Sequence, residues 1–356
     1  MLSAVRVRSL YAPVLFVAFC TAIAIAQQPN RIVGPIDERQ VVTLTGNVHP
    51  LARGEFDRGA VPSDTRLDRM VLQLQPSAAA QAELDALVDA QHDPASPLFH
   101  QWLTPSEFGG RFGATAADVA KVTAWLRGHG FTVDEISPSN RLMIFSGTAA
   151  DVVEAFHTEI HSYRVNGVDH MANVEDPQIP RALAGVVSGV LSLHDFRRSS
   201  EISAKRPLAP QVGKASGEVR PEYTSGSSHY LFPADWATIY DLNSVYGAGK
   251  TGSGASIAIV GRSNINASDV MQFRSASGLP ANPPKVIFVS ANPGLVSGDQ
   301  DESTLDVEWS GAIAPEATVN FVVGASTATT DGVDLSAQYI VNHATAQVVS
   351  TSYGSC

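Results

Sequence analysis

The apolar positions of the chain follow two rhythms, one running to about Phe196 and another beginning near Leu231. In the first, residues 70–74 alternate as a strand, and 78–90 has helical periodicity with Leu84, Leu87 and Val88 on one side. A turn-rich aromatic segment follows at 98–108. Helices are expected over 116–128 and 149–156, and strands over 131–136, 142–146 and 160–163. Strands and helices joined by short links predict an α+β layer in which helices cover one sheet.

The second rhythm differs because its strands are continuous apolar runs. Strands are expected over 256–260, 286–289, 318–323 and 348–353, separated by helices over 267–275, 302–314 and 335–344. Alternating helices with unbroken apolar strands indicates parallel pairing buried on both faces, a doubly wound α/β class. Gly252-Ser253-Gly254 precedes its strand and lacks a third glycine at dinucleotide spacing, which argues against a Rossmann site. Between the two rhythms, 197–228 turns to Ser, Pro, Gly, Lys and Arg, including Arg197-Arg198, Lys205-Arg206-Pro207 and Arg220-Pro221. Such a stretch builds no core and reads as a flexible linker open to proteolytic nicking.

The helix expected at 302–314 carries the densest candidate chemistry. Leu305, Trp309 and Ile313 recur every fourth residue and give it one apolar face, ending at Pro315. Glu302 and Asp306 are also four apart, so they are neighbours on one face, at a repulsive cost of roughly 0.2 to 0.5 kcal/mol. Helix capping is one explanation, with Asp299 as N-cap, Glu302 closing a capping box and the dipole favouring Asp301. It leaves Asp306 unexplained, because Asp306 lies beyond the first turn. A functional carboxylate pair is the alternative, with Asp301 and Glu308 as solvated-face residues.

Bulk properties narrow the classes. A chain of 356 residues with 44% hydrophobic and 17% charged residues is long enough for two domains. A net charge of −11 and a pI near 5.3 argue against a nucleic-acid partner. Arg6 and Arg8, an apolar run over 14–25 and Ala24-Ile25-Ala26 form a signal peptide, so a secreted product, extracellular or periplasmic and free of the membrane after cleavage, is expected. Phe19 before Cys20 argues against lipidation, and Cys356 has no partner in the mature chain, which suggests a chain that continues. His92, His100, His129, His157, His161 and His170 show no metal-site spacing; the nearest, His157 and His161, straddle a helix and a strand.

Taken in order, the signal, an α+β domain bearing Leu98-Phe99-His100-Gln101-Trp102-Leu103-Thr104-Pro105, a basic linker, Tyr240-Asp241-Leu242, Glu302-Ser303-Thr304-Leu305-Asp306 and 348–356 resemble the sedolisin family of serine-carboxyl peptidases. The resemblance implies a signal at 1–26, a ferredoxin-like pro-kumamolisin-type activation domain at 27–196, a processing linker at 197–228, and a truncated N-terminal part of a subtilisin-like catalytic domain with a parallel sheet at 229–356. It implies Glu302 as general base toward a serine and Asp306 as the residue that holds and polarises it. An unperturbed glutamate, with a pKa of about 4.3 against about 6.5 for histidine, still accepts protons in acid.

The family's nucleophile lies in a Gly-Thr-Ser segment, and its oxyanion aspartate and calcium site also lie beyond the segments matched here. Calcium is therefore expected only for a full-length member, and Ser303 and Ser352 sit in the wrong context to substitute for the nucleophile. The expected function is a precursor of an acid-acting endopeptidase on protein or peptide substrates, with the activation domain held against the catalytic domain in cis and this chain inactive alone. A non-catalytic activation-domain module that binds or inhibits a peptidase is the alternative, and a decayed product whose open sheet edge aggregates is a third.

Overall fold

The computed structural model is described over residues 28–200, 222–225 and 228–354. The expected signal, Cys20, Cys356 and most of the expected linker, including Lys205-Arg206-Pro207 and Arg220-Pro221, lie outside the described residues.

The N-terminal part contains, in order, β1 (Val41–Thr43), β2 (Asp57–Ala60), β3 (Arg66–Leu74), α1 (Ala78–His92), α2 (Pro105–Phe112), α3 (Ala116–Gly128), β4 (Thr132–Ile136), β5 (Leu142–Thr148), α4 (Ala149–Phe156), β6 (Ile160–Val165), β7 (Val168–Asn173), β8 (Gln178–Pro180) and β9 (Val187–Val190). Strands β4, β5, β3 and β9 form an antiparallel sheet in that order. Its inner face, with Leu72, Met143 and Phe145, packs against Val122 and Leu126 of α3 and Val152 and Phe156 of α4. Burial of these side chains supplies the driving force, at about 1.5 to 3 kcal/mol for each fully buried large one.

Helices α3 and α4 start where the sequence supplies Thr115 and Thr148, whose hydroxyls accept from the backbone N–H of Asp118 and Asp151. Helix α2 begins within the stretch expected to be turn-rich and runs past it to Phe112. Thr104 and Glu107 close a capping box, with Pro105 at the first position. In α1 the apolar face is narrower than expected, since Leu87 is buried but Val88 is exposed.

Strands β2, β6 and β7 form a second, three-stranded sheet. Asn166 and Gly167 turn β6 into β7 with φ of 52° and 82°, the left-handed pair a tight hairpin requires. This hairpin carries His161 and His170 toward the end of the N-terminal part.

The C-terminal part continues with β10 (Ser199–Ser200), β11 (Glu222–Ser225), β12 (Ser228–Leu231), α5 (Pro233–Ile239), α6 (Leu242–Gly247), β13 (Ser256–Gly261), α7 (Ala267–Ala276), β14 (Lys285–Phe288), α8 (Gln300–Ile313), β15 (Thr318–Val323), α9 (Gly332–His343), β16 (Val348–Ser350) and β17 (Tyr353–Gly354). Strands β14, β15, β13 and β16 pair in that order, all parallel. Ile259, Val319 and Phe321 meet α7 and α8 through Val270 and Val307, while Ala258, Val260 and Val322 meet α9 through Val333 and Ile340. Burial on both faces explains why these strands carry no polar alternation.

Two expectations change here. The strand expected over 348–353 breaks after Ser350, so that Tyr353–Gly354 pairs instead with Ser199–Ser200 in antiparallel register. The expected linker is therefore held at its start. Besides that pairing, the Arg197 guanidinium donates to Thr327 O at 2.7 Å, and Arg198 meets Asp334 at 2.5 Å.

Candidate active site

Helix α8 turns its small residues to the sheet, and this sets where its carboxylates point. Ser303, Val307, Gly311 and Ala312 are buried, whereas Leu305 of the expected apolar face is 37% exposed. Gly311 brings the helix close to the sheet, since a Cβ there would stand 3.3 Å from Val319 and 3.2 Å from Arg274. Trp309 lies to one side, edge-on to Trp236 at 5.5 Å and tilted against Phe273 at 5.9 Å. With the small-residue stripe facing inward, Glu302 is carried into the interior at 3% exposure.

Both ends of α8 are clamped by arginines. At the C-terminal end the buried Arg274 of α7 donates to the carbonyls of Gly311 and Pro315 at 2.7 and 2.9 Å, satisfying acceptors the helix leaves open. At the other end Asp299 occupies the position before the helix, but its side chain makes no capping bond. Its carboxylate instead receives two hydrogen bonds from Arg262, both 2.9 Å, and Arg262 spends a third on Asp331 at 2.9 Å. Asp331 in turn caps α9 through the Val333 N–H. The same guanidinium lies over the Tyr353 ring at 5.0 Å. Arg262 thus ties the end of β13 to the starts of α8 and α9 and to β17.

The capping box expected of Glu302 does not form. Glu302 accepts a 2.5 Å hydrogen bond from the Ser200 hydroxyl. One turn on, Asp306 accepts from the Ser352 hydroxyl at 2.9 Å through Oδ1, and its Oδ2 is buried with no hydrogen-bond partner among the described residues. Burial pushes the Asp306 carboxyl up to about 6; the Ser352 hydrogen bond opposes this and the neighbouring Glu302 charge adds to it. An acid titrating there holds a proton through the mildly acidic range.

The other sequence candidates fall differently. Asp301 is exposed. Glu308, expected on the solvated face, is half-buried, and burial with the Asp269 charge pushes it up to about 8. A cleft whose lining includes neither Glu302 nor Asp306 is formed by Asp169, His170 and Asp195 of the N-terminal part and by Arg262 and Asp299 of the C-terminal part, with Arg197 to Ser200 along it. Among the described residues no group of three or more His, Cys, Asp or Glu is placed to hold a metal ion, and no helix is long and apolar enough to cross a membrane.

Sequence reasoning missed Arg262, Arg274 and Ser200. Nothing local marks the arginines as clamps on α8, because the partners through which they hold it, Asp299 and Gly311, each lie 37 positions away. Ser200 was hidden in a stretch read as linker.

Residues 54–196 match the pro-kumamolisin activation domain. The chain is 28% identical over 288 residues to sedolisin from Pseudomonas sp. (strain 101), an alignment covering 78% of this chain and 46% of sedolisin. It is 29% identical over 287 residues to xanthomonalisin from Xanthomonas sp. (strain T-22), covering 75% of this chain and 32% of that protein. The chain thus spans less than half the length of these curated relatives.

Proposed function

We propose that this chain, which carries a pro-kumamolisin activation domain and is homologous to sedolisin and xanthomonalisin, is the precursor portion of an exported serine-carboxyl endopeptidase that cleaves proteins in acid. In this reading the chain divides into an activation domain to residue 196, a processing linker at 197–228 and the start of a subtilisin-like catalytic domain from 229. The observation that supports this most directly is the pair Glu302 and Asp306, one helical turn apart beneath the tail that follows the activation domain, with a serine hydroxyl donating to Glu302.

In this reading Glu302 is the general base. It takes the proton of an attacking serine hydroxyl and returns it to the leaving amine, a role for which a positioned group contributes roughly 10²- to 10⁴-fold. Asp306, which holds a proton in mild acid, supports Glu302 from one helical turn away. The Ser352 hydroxyl orients Asp306, and Arg262 with Asp299 fixes the start of the helix that presents both acids. Ser200 occupies the proton-accepting oxygen of Glu302, so the base is engaged while the tail is docked. This reading assigns no nucleophile or oxyanion donor among residues 1–356, which contain no Gly-Thr-Ser segment, and it expects no peptide hydrolysis from these residues alone. Calcium, as a structural ion, is expected for a full-length member of that family, and no step above depends on it.

The test is to read the coding sequence downstream of Cys356. The proposal expects an in-frame Gly-Thr-Ser segment within a continuing catalytic domain. An intact gene without one would overturn the enzyme reading and leave a module that binds a peptidase.

A further inference from the structure

Strands β13, β14 and β15 run parallel, so their carboxyl ends share one edge of the sheet, and helices α8 and α9 begin there, after β14 and β15. The two helices pack on opposite faces of the sheet, which leaves a crevice between their starts. In open α/β sheets ligands bind in the crevice outside the carboxyl ends of the strands. The segment Arg197 to Ser200 crosses it, touching Thr327 after β15, Asp334 in the first turn of α9 and Glu302 in the first turn of α8.

The contacts differ in what they ask of a peptide. The ladder of Ser199–Ser200 with Tyr353–Gly354 is made by main chain and accepts any extended sequence. Thr327 O is a carbonyl and takes any donor, charged or neutral. The 2.5 Å contact of Arg198 with the Asp334 carboxylate is the one that calls for a cation.

Asp334 also differs from the aspartates around it. Asp169 meets Arg164 at 2.9 Å, Asp195 accepts from the Met171 N–H at 2.9 Å, and Asp299 and Asp331 share Arg262. Those partners remain when the segment is gone. Asp334 is half-buried, and Arg198 is the cation in contact with it among the described residues. Burial pushes the Asp334 carboxyl up; Arg198 opposes this, and the Asp331 charge adds to it. The start of α9 favours negative charge there. Without the segment, a partly desolvated carboxylate is left lacking a counter-charge, which favours a ligand that brings one.

We propose that Asp334 is a specificity-determining residue: it selects an arginine or lysine side chain on a peptide strand docked along Tyr353–Gly354, two positions before the residue that lies on Glu302. The proposal deepens the peptidase reading and rests on it in taking that strand for substrate. Arg198 and Ser200 supply the register, one on Asp334 and the other on Glu302. Were Asp334 a fastening for this chain's own tail alone, foreign peptides would show no charge preference at that position.

The test uses the whole chain with Arg198→Gln/Ser200→Ala, which weakens the hold of its own tail, and labelled peptides Asp-Phe-Arg-X-Ser-Ser with X as Arg, Lys, Gln or Glu. Binding is read by fluorescence anisotropy at pH 7. The Arg and Lys peptides are expected to bind about fivefold tighter than the Gln peptide, and the Glu peptide most weakly. Asp334→Asn in the same background is expected to bring all four within about twofold, and Asp334→Arg to favour the Glu peptide. Equal binding of the Arg and Gln peptides, an undiminished preference in Asp334→Asn, or no binding of any peptide would overturn the proposal. The four-peptide series with Asp334 in place decides even where a variant does not fold. Hydrolysis of the same series, extended beyond the second serine, by the full product of the gene separates the two readings. Equal kcat/KM for the Arg and Gln peptides overturns the subsite and leaves the peptidase, whereas charge-selective binding without cleavage leaves the subsite and overturns the peptidase.

Discussion

Ser200 and Glu302, separated by 102 positions in the chain, share a 2.5 Å hydrogen bond in which the serine hydroxyl donates to Glu302 Oε2. Ser200 belongs to a two-residue strand that also pairs with Tyr353–Gly354, so the tail adds to the C-terminal part as an antiparallel strand would. The first residues of a stretch composed like a flexible linker are thereby the cover of the candidate base.

Ser200→Ala removes a hydrogen bond to a charged group, worth about 1.5 to 3 kcal/mol in general. The expected outcome is a 10- to 100-fold faster cleavage of the intact chain within 197–228 by an added protease, with the overall melting temperature nearly unchanged. An unchanged cleavage rate would show that the contact does not hold the tail.

Asp306 sets a pH dependence of known sign. Its folded pKa, about 6, lies above its ordinary 3.8, so the folded chain binds the extra proton; its contribution is most favourable in acid and is lost as pH rises through 6. Asp306→Asn is expected to flatten the pH dependence of urea unfolding between pH 4 and pH 7, equalling the native chain at pH 4 and matching or exceeding it at pH 7.

Glu308 follows the same sign further up the scale, with a pKa near 8 against 4.5. At pH 7 the folded chain must keep Glu308 protonated or bury its charge. Glu308→Gln is expected to stabilise the chain by an amount on the order of 2 kcal/mol at pH 7 and by nothing measurable at pH 4, read from urea unfolding.

Arg262 holds three elements at once, so its loss is expected to exceed that of a surface ion pair. Arg262→Met leaves Asp299 and Asp331 buried and unpaired, and a cost of about 3 to 5 kcal/mol is expected by chemical denaturation. Arg262→Lys keeps the charge but loses the two-pronged grip on Asp299, and is expected to fall between the two.

Much of the architecture was legible in periodicity. The expected limits 149–156 and 318–323 coincide with α4 and β15, where capping threonine or an unbroken Val-rich run marks the ends. The pair Glu302 and Asp306 was legible from spacing, because residues four apart on a helix share a face in any fold. Which face is buried was not, because α8 packs through Ser303 and Gly311, and smallness at a close helix–sheet contact carries no hydrophobic signal. The β6–β7 hairpin was announced by Asn166-Gly167 but not used. The Arg262 clamp and the Arg198–Asp334 pair join residues distant in sequence, and no local pattern encodes such meetings.

The central claim is that Glu302 and Asp306 are the base and its support in an acid peptidase. Its most direct test is the rate of peptide hydrolysis, from pH 3 to pH 7, by the full product of the gene carrying Glu302→Gln or Asp306→Asn. The account expects Glu302→Gln to lower kcat at least 100-fold with KM little changed, and Asp306→Asn to lower kcat and shift the pH profile. A Glu302→Gln enzyme within twofold of the native rate across that range would contradict it.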